Sequence, residues 1–166
     1  MFTNQNNKNK HNYFMSLAFD QAKRNLGNTR KNPSVGCVIT NGTNLFGAGF
    51  TSINGRPHAE YNAIKSTKKS LTNSYLYVTL EPCSHYGKTP PCINLIKKKK
   101  IKKVFFSIYD PDKRSYKKSI NTLKKKLINV KSGFLKKHGN FFYKSYIKLK
   151  NNNLPYITCK IATSKD

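Results

Sequence analysis

No apolar run in this chain approaches the length of a membrane span, which excludes a spanning helix. The first residues, Met-Phe-Thr-Asn-Gln-Asn-Asn-Lys, lack the apolar stretch of a secretory leader, so no signal peptide is expected and the expected location is cytoplasmic. Cysteine is sparse: Cys37, Cys83, Cys92 and Cys159 are the full set. Cys37 lies in an apolar run and Cys159 near the end, which argues against a disulfide framework and fits a reducing compartment. No second histidine follows His58 at helical spacing, which excludes an H-E-x-x-H peptidase site. Acidic side chains are few, six Asp and Glu against 32 Lys and Arg, for a formal net charge of +26.

That charge, read alone, suggests a nucleic-acid binder. Lysine greatly outnumbers arginine, however, and the lysines run from residue 8 to residue 165 instead of gathering on one element. Compositional bias explains this better than a selected surface, so nucleic acid is not the expected partner. The charge still favours anionic ligands, a phosphorylated small molecule among them. At 166 residues and 37% hydrophobic, the chain suits one domain with a short appendage.

Two short pieces carry the chemistry. His58-Ala59-Glu60 supplies an imidazole and, two residues on, a carboxylate. Thr79-Leu-Glu-Pro-Cys83-Ser-His85-Tyr-Gly87-Lys88-Thr-Pro-Pro91-Cys92 supplies two thiols. One His and two Cys form the ligand set of a catalytic Zn²⁺, which keeps its fourth position for water and lowers that water's pKa to near 7. Glu60 is placed to move protons without serving as a ligand. The zinc deaminases pair H-x-E with P-C-x-x-C; here eight residues separate the cysteines. A structural zinc with His85 as fourth ligand is the competing arrangement, and a chance grouping is the bland one. For Glu60 the bland reading is a carboxylate that merely suits a helix N-terminus.

Periodicity places these pieces. Residues 1–11 are polar and expected to fray. Met15, Ala18, Phe19, Ala22 and Leu26 then share one helical face, ended near Gly27-Asn28. Asn32-Pro33-Ser34-Val35-Gly36 reads as a loop entering the strand Cys37-Val38-Ile39. Asn41-Gly42 marks a hairpin turn, and Leu45–Phe50 returns with glycines that imply close backbone packing or a bulge. A helix is predicted from about Pro57 to Lys69, with His58 and Glu60 in its first turn. The strand Tyr75–Leu80 delivers Glu81-Pro82-Cys83 at its C-terminal end, and a helix from Pro90 or Pro91 carries Cys92. Val104–Ile108 is a strand and Asp110-Pro111-Asp112 a loop. A Lys-rich helix is predicted at 116–126, a short strand at Leu127–Val130, a helix through Phe141–Leu149, and an extended piece at Tyr156–Cys159. The order predicts a three-layer α/β/α sandwich on a mixed, roughly five-stranded sheet.

Asn32-Pro-Ser-Val-Gly36, His58-Ala-Glu60 and Thr79 through Cys92 closely resemble the deaminase domain of the bifunctional riboflavin-biosynthesis deaminase/reductase, a member of the cytidine deaminase-like superfamily. The long insert between the cysteines is the specific feature. The resemblance covers about 12–133. It implies hydrolytic deamination of 2,5-diamino-6-ribosylamino-4(3H)-pyrimidinone 5′-phosphate to the 5-amino-6-ribosylaminouracil 5′-phosphate, with zinc on His58, Cys83 and Cys92. It also implies Glu60 as proton shuttle and Asn32, His85 and Lys88 as substrate contacts. Residues 134–166 resemble the linker to a reductase and that domain's opening strand. The expectation is a deaminase that relies on a separate reductase in trans and tends to self-associate into a homo-oligomer. The sequence departs from the family pattern at Lys31, where proline is common. It departs again at Asp112–Ser119, where the family has Asn-Pro-x-Val-x-Gly-x-Gly and this chain has no glycine. The rival readings are a tRNA or other nucleic-acid base deaminase, favoured by charge alone, and a basic nucleic-acid-binding protein with a structural metal site.

Overall fold

The computed structural model describes residues 2–164, with side chains from residue 5 onward. The elements in order are α1 (Phe2–Lys23), β1 (Gly36–Thr40), β2 (Leu45–Phe50), a 3₁₀ turn (Ile53–Gly55), α2 (Ala59–Lys65) and β3 (Tyr75–Leu80). They continue with α3 (Cys92–Lys98), β4 (Lys103–Ile108), α4 (Lys118–Lys124), β5 (Asn129–Ser132), α5 (Lys136–Phe142) and α6 (Lys144–Asn152). The five strands form one sheet in the order β2-β1-β3-β4-β5. β1 runs antiparallel to both of its neighbours, while β3, β4 and β5 are parallel. This is the mixed sheet that the sequence pattern implied.

Both faces of the sheet are covered. Cys37, Ile39, Leu76, Val78, Val104 and Phe106 point toward Ala59, Ala63 and Ile64 of α2, Ile93 and Ile96 of α3, and Leu123 of α4. Their neighbours Val38, Tyr77 and Phe105 point the other way, toward Phe14, Met15, Ala18 and Phe19 of α1 and toward Tyr143. Burial on both sides explains why the central strands are continuous apolar runs instead of alternating ones.

Two glycines let the helices close on the hairpin. A Cβ at Gly36 would lie 1.8 Å from the Ala18 carbonyl of α1, and one at Gly49 would lie 2.3 Å from the Ala63 amide of α2. The glycines of the predicted returning strand thus mark close packing, and a register irregularity also falls at Ile39/Thr40.

Several boundaries differ from the sequence reading. α1 is helical through residues expected to fray, and His11 is anchored on the sheet, its Nδ1 2.8 Å from the Tyr77 hydroxyl. α2 stops at Lys65, four residues early, because the Ser66 hydroxyl donates back to the Ala63 carbonyl and accepts the Ala48 amide of β2. β5 starts two residues late: the Ile128 amide is still bonded to Leu123 of α4. The single predicted helix after residue 133 is two, broken at Tyr143. Tyr156–Cys159 takes no regular secondary structure and pairs with no strand among the described residues, and residues 153–164 are exposed. A strand-forming composition needs a free sheet edge, and none receives this segment.

Candidate active site

The parallel strands end where chemistry is usually found in open α/β sheets. β3 runs out into Glu81-Pro82-Cys83 and β4 into Tyr109-Asp110, while α2 and α3 begin nearby. His58 is the N-cap residue of α2 and Pro91 that of α3, so Cys92 opens its helix. The His58 Nδ1 lies 3.6 Å from Cys83 Sγ and 3.4 Å from Cys92 Sγ, and all three donor atoms fall within 4.8 Å of one another. Tetrahedral coordination at the bond lengths usual for zinc to sulfur and imidazole nitrogen separates such donors by about 3.5 Å. The three side chains therefore fit a divalent metal in both chemistry and spacing.

The local electrostatics suit that role. The Cys83 thiol is pulled down to about 4, chiefly by its hydrogen bond with Cys92 and also by His58 and the Cys92 amide, which donates to Cys83 Sγ at 3.2 Å. Cys92 is pushed up, as expected when one thiolate already occupies the pair. Glu60, in the first turn of α2, is 4% exposed, and burial followed by the Cys83 charge raises its carboxyl above the ordinary range. A carboxyl raised in this way holds a proton more readily than an ordinary one, which suits a group that must both accept and return it.

A cavity opens onto these residues. His58, Glu60, Cys83, Asn32 and His85 all line it. Asn32 is held by its own Nδ2, which donates to the Gly55 carbonyl at 3.0 Å, and by Thr29, whose hydroxyl donates to the Asn32 carbonyl at 2.7 Å. The His85 Nδ1 sits 2.9 Å from the buried Ser115 hydroxyl. Lys88 is exposed and does not line the cavity, although Gly87 beside it does.

The cavity wall also contains residues that sequence reasoning did not assign to the site: Arg56, Asp110, Asp112, Arg114, Tyr146 and Lys150. One signal for them was available. Four of the six acids of this acid-poor chain, Glu60, Glu81, Asp110 and Asp112, line this one cavity. Glu81 does so as a clamp: its Oε1 accepts the Ser119 hydroxyl at 2.7 Å and the Ser119 amide at 3.2 Å, and its Oε2 accepts the amides of Lys117 at 3.0 Å and Asp110 at 3.4 Å. The glycine-less 112–119 loop is thereby fastened to the end of β3. Lys117 stands at the first position where the family pattern has glycine, and it takes the left-handed φ of 57°.

Residues 8–108 match the family described as the cytidine and deoxycytidylate deaminase zinc-binding region. The chain is 41% identical over 154 residues to the riboflavin biosynthesis protein RibD of Bacillus amyloliquefaciens, covering 93% of this chain and 42% of that protein. It is 37% identical over 146 residues to the diaminohydroxyphosphoribosylamino-pyrimidine deaminase of Buchnera aphidicola subsp. Schizaphis graminum, covering 88% of this chain and 99% of that one. Among solved structures, the diaminohydroxyphosphoribosylaminopyrimidine deaminase/5-amino-6-(5-phosphoribosylamino)uracil reductase of Thermotoga maritima superposes with a TM-score of 0.84 at 33% identity, over 90% of this chain and 43% of that chain. The chain thus spans about two fifths of the length of the bifunctional proteins it matches.

Proposed function

Since the chain belongs to the cytidine and deoxycytidylate deaminase zinc-binding family, and within it to the diaminohydroxyphosphoribosylamino-pyrimidine deaminases, we propose that it hydrolyses 2,5-diamino-6-ribosylamino-4(3H)-pyrimidinone 5′-phosphate to the corresponding 5-amino-uracil and ammonia. The observation that carries this is the convergence of His58, Cys83 and Cys92 at metal-binding distances beside a buried Glu60, with His58, Cys83 and Glu60 lining one cavity. Zn²⁺ is the proposed ion, held by those three side chains, and it would supply the Lewis acidity that activates water.

The remaining work falls to the chain. Glu60 takes the proton of the attacking water, gives it to the ring nitrogen of the substrate, and then protonates the departing amine. Asn32, its Nδ2 committed to Gly55, offers its carbonyl oxygen to the heterocycle. His85, fixed by Ser115, offers its second ring nitrogen. Lys88, next to the wall residue Gly87, is proposed to approach the phosphate from outside the cavity. These residues hold the pyrimidine over the proton shuttle and leave the reduction for which the Thermotoga protein is also named to a separate site. We propose that a reductase in trans performs it, and that copies of this chain self-associate. Protein supplied with the deaminated product should give no NADPH oxidation.

The deciding experiment is ammonia release by zinc-loaded protein from the phosphorylated pyrimidine. Wild type should release it and Glu60→Gln should be slower by roughly 10²- to 10⁴-fold, the contribution of a positioned general acid–base group. Ammonia from an adenosine- or cytidine-containing RNA and none from the pyrimidine would replace this reading with that of a nucleic-acid base deaminase.

A further inference from the structure

We propose that Arg114 and Lys150, both seated on Asp112, form an anion-binding fork in the cavity wall that takes the substrate's phosphate; the proposal rests on the deaminase reading above. Both cations line the same cavity as His58, Glu60 and Cys83. Arg114 grips the Asp112 carboxylate with Nε at 2.9 Å and Nη2 at 2.7 Å, and Lys150 Nζ reaches the same carboxylate at 2.8 Å. The Asp112 side chain is 9% exposed, that of Lys150 29% and that of Arg114 64%, so the acid lies beneath and the cations lie above it. Asp112 is the one carboxylate that bonds both cations, with Asp110 behind it in the wall, so the fork's capacity for a further anion lies in the donors that these acids leave unused. The bonds to Asp112 occupy one edge of the guanidinium, which leaves its Nη1 with no partner among the described residues, and they occupy only one of the three ammonium protons of Lys150.

Most of the loop's backbone is not available for this task. The amide of Asp112 is bonded to Asp110, those of Arg114, Ser115 and Tyr116 to Asp112, that of Lys118 to Ser115, and those of Lys117 and Ser119 to Glu81. With every amide from Asp112 to Ser119 except that of Lys113 spent internally, the loop cannot cradle a phosphate with its backbone, so recognition of an anion falls mainly to side chains. The choice of residue agrees. Only four arginines occur in this lysine-rich chain, Arg24, Arg30, Arg56 and Arg114, and two of them line this cavity. Arginine's planar fork suits phosphate oxygens better than a lysine's point charge does. The fork also gives α6 a functional role, since Lys150 comes from that helix, and Tyr146, one turn earlier, donates to Asp110 at 3.0 Å.

The test compares the phosphorylated substrate with its dephosphorylated riboside, and adds binding of ribose 5-phosphate followed by calorimetry. Arg114→Gln and Lys150→Gln should each raise KM for the phosphorylated substrate roughly 10- to 100-fold, the worth of one charge-assisted hydrogen bond, and so collapse the preference for it over the riboside. Lys150→Arg should restore much of that preference; a merely structural salt bridge to Asp112 would instead give losses shared equally by phosphorylated substrate and riboside. Wild type should bind ribose 5-phosphate and the double variant should not; if the double variant fails to fold, Lys150→Gln alone carries the comparison. Unchanged ribose 5-phosphate binding in the variants, or equal losses on phosphorylated substrate and riboside, would overturn the fork. Absence of ammonia from wild type with either substrate would instead overturn the deaminase reading, and loss of ribose 5-phosphate binding in the variants would still support the fork.

Discussion

Replacing Glu81 by glutamine tests how the active-site loop is held. Glu81 accepts four hydrogen bonds on two oxygens, three from backbone amides and one from the Ser119 hydroxyl, and its side chain is buried. Glutamine keeps one oxygen and turns the other into a donor. The least costly orientation puts the new NH₂ group toward Ser119, whose hydroxyl can rotate to accept. The Ser119 amide then faces a donor at a position where it now has an acceptor at 3.2 Å. One buried N–H left without a partner costs about 1–3 kcal/mol, and the remaining bonds lose the extra strength that a charged acceptor gives them. Against this, a neutral side chain escapes the desolvation that a buried carboxylate suffers. With four donors already aimed at it, the loss should dominate, for a net destabilisation of about 2–4 kcal/mol. For a chain of this size that is a fall in Tm of roughly 5–15 °C by circular dichroism. Ser119→Ala, which removes a single bond, should lose less. Because the same loop carries Asp112, Arg114 and the Ser115 hydroxyl against His85, KM for the substrate should rise alongside. A Glu81→Gln protein that melts at or above the wild-type temperature would show that desolvation outweighs the four donors, and the clamp would be refuted.

Leu127 offers a change of opposite sign. It closes α4 with φ 60°, its amide on the Lys124 carbonyl and the Ile128 amide on Leu123, while its side chain is 95% exposed. This is a Schellman ending, whose left-handed position favours glycine. Leu127→Gly should stabilise by about 0.5–1 kcal/mol, the strain of a left-handed leucine less the extra freedom of glycine in the unfolded chain, whereas Leu127→Ala should leave Tm where it is; a lower Tm for the glycine variant would contradict the backbone argument. Burial, ahead of the nearby Asp112 and Glu81 charges, pushes the Asp110 carboxyl up to about 6 despite the Asp112 amide and Tyr146 hydroxyl that donate to it. An acid with a raised folded-state pKa contributes stability below about pH 4 and loses it as pH rises through about 6. Asp110→Asn should therefore match wild type near pH 4 and be more stable than it at pH 7.5, by at most about 3 kcal/mol and read as a higher Tm; a pH-independent difference would remove the titration from the account. Stripping the metal with a chelator should lower Tm, since an ion present at a thousand times its Kd adds about 4 kcal/mol to the folded state; an unchanged Tm would argue against a bound metal at His58, Cys83 and Cys92.

The sheet was legible because its signals are local and redundant. Tyr75–Leu80 and Val104–Ile108 are dense strand-forming runs, the hairpin turn begins at Asn41-Gly42, and Pro91 and His58 each immediately precede a helix. The metal cluster was legible for a related reason: H-x-E and the two cysteines are short motifs whose residue types admit few chemistries. The cavity wall was not. Tyr143, Tyr146 and Lys150 lie in a stretch that reads only as an aromatic and basic helix, yet the Tyr143 hydroxyl bridges Thr79 of β3 and the Ser34 carbonyl, 109 residues away in sequence. Long-range pairs of this kind leave no periodicity behind.

The scarcity of acid turns out to be the most informative feature of the composition. In a chain with so few carboxylates, each exposed one could be lost to lysine-rich drift at little cost, because a surface ion pair contributes little. Asp20, paired with Lys23, is such a case, with both side chains more than half exposed. Glu60, Glu81, Asp110 and Asp112 differ in kind: each is buried, and each lines the cavity. Glu81 holds a loop and Asp112 holds two cations, and neither role survives substitution by a base. A composition this biased therefore acts as a filter, and the acids that pass through it mark the site more sharply than they would in an ordinary chain. Applied to arginine, the same filter points to Arg56, which lines the cavity, donates to Thr89 and pairs with no carboxylate among the described residues.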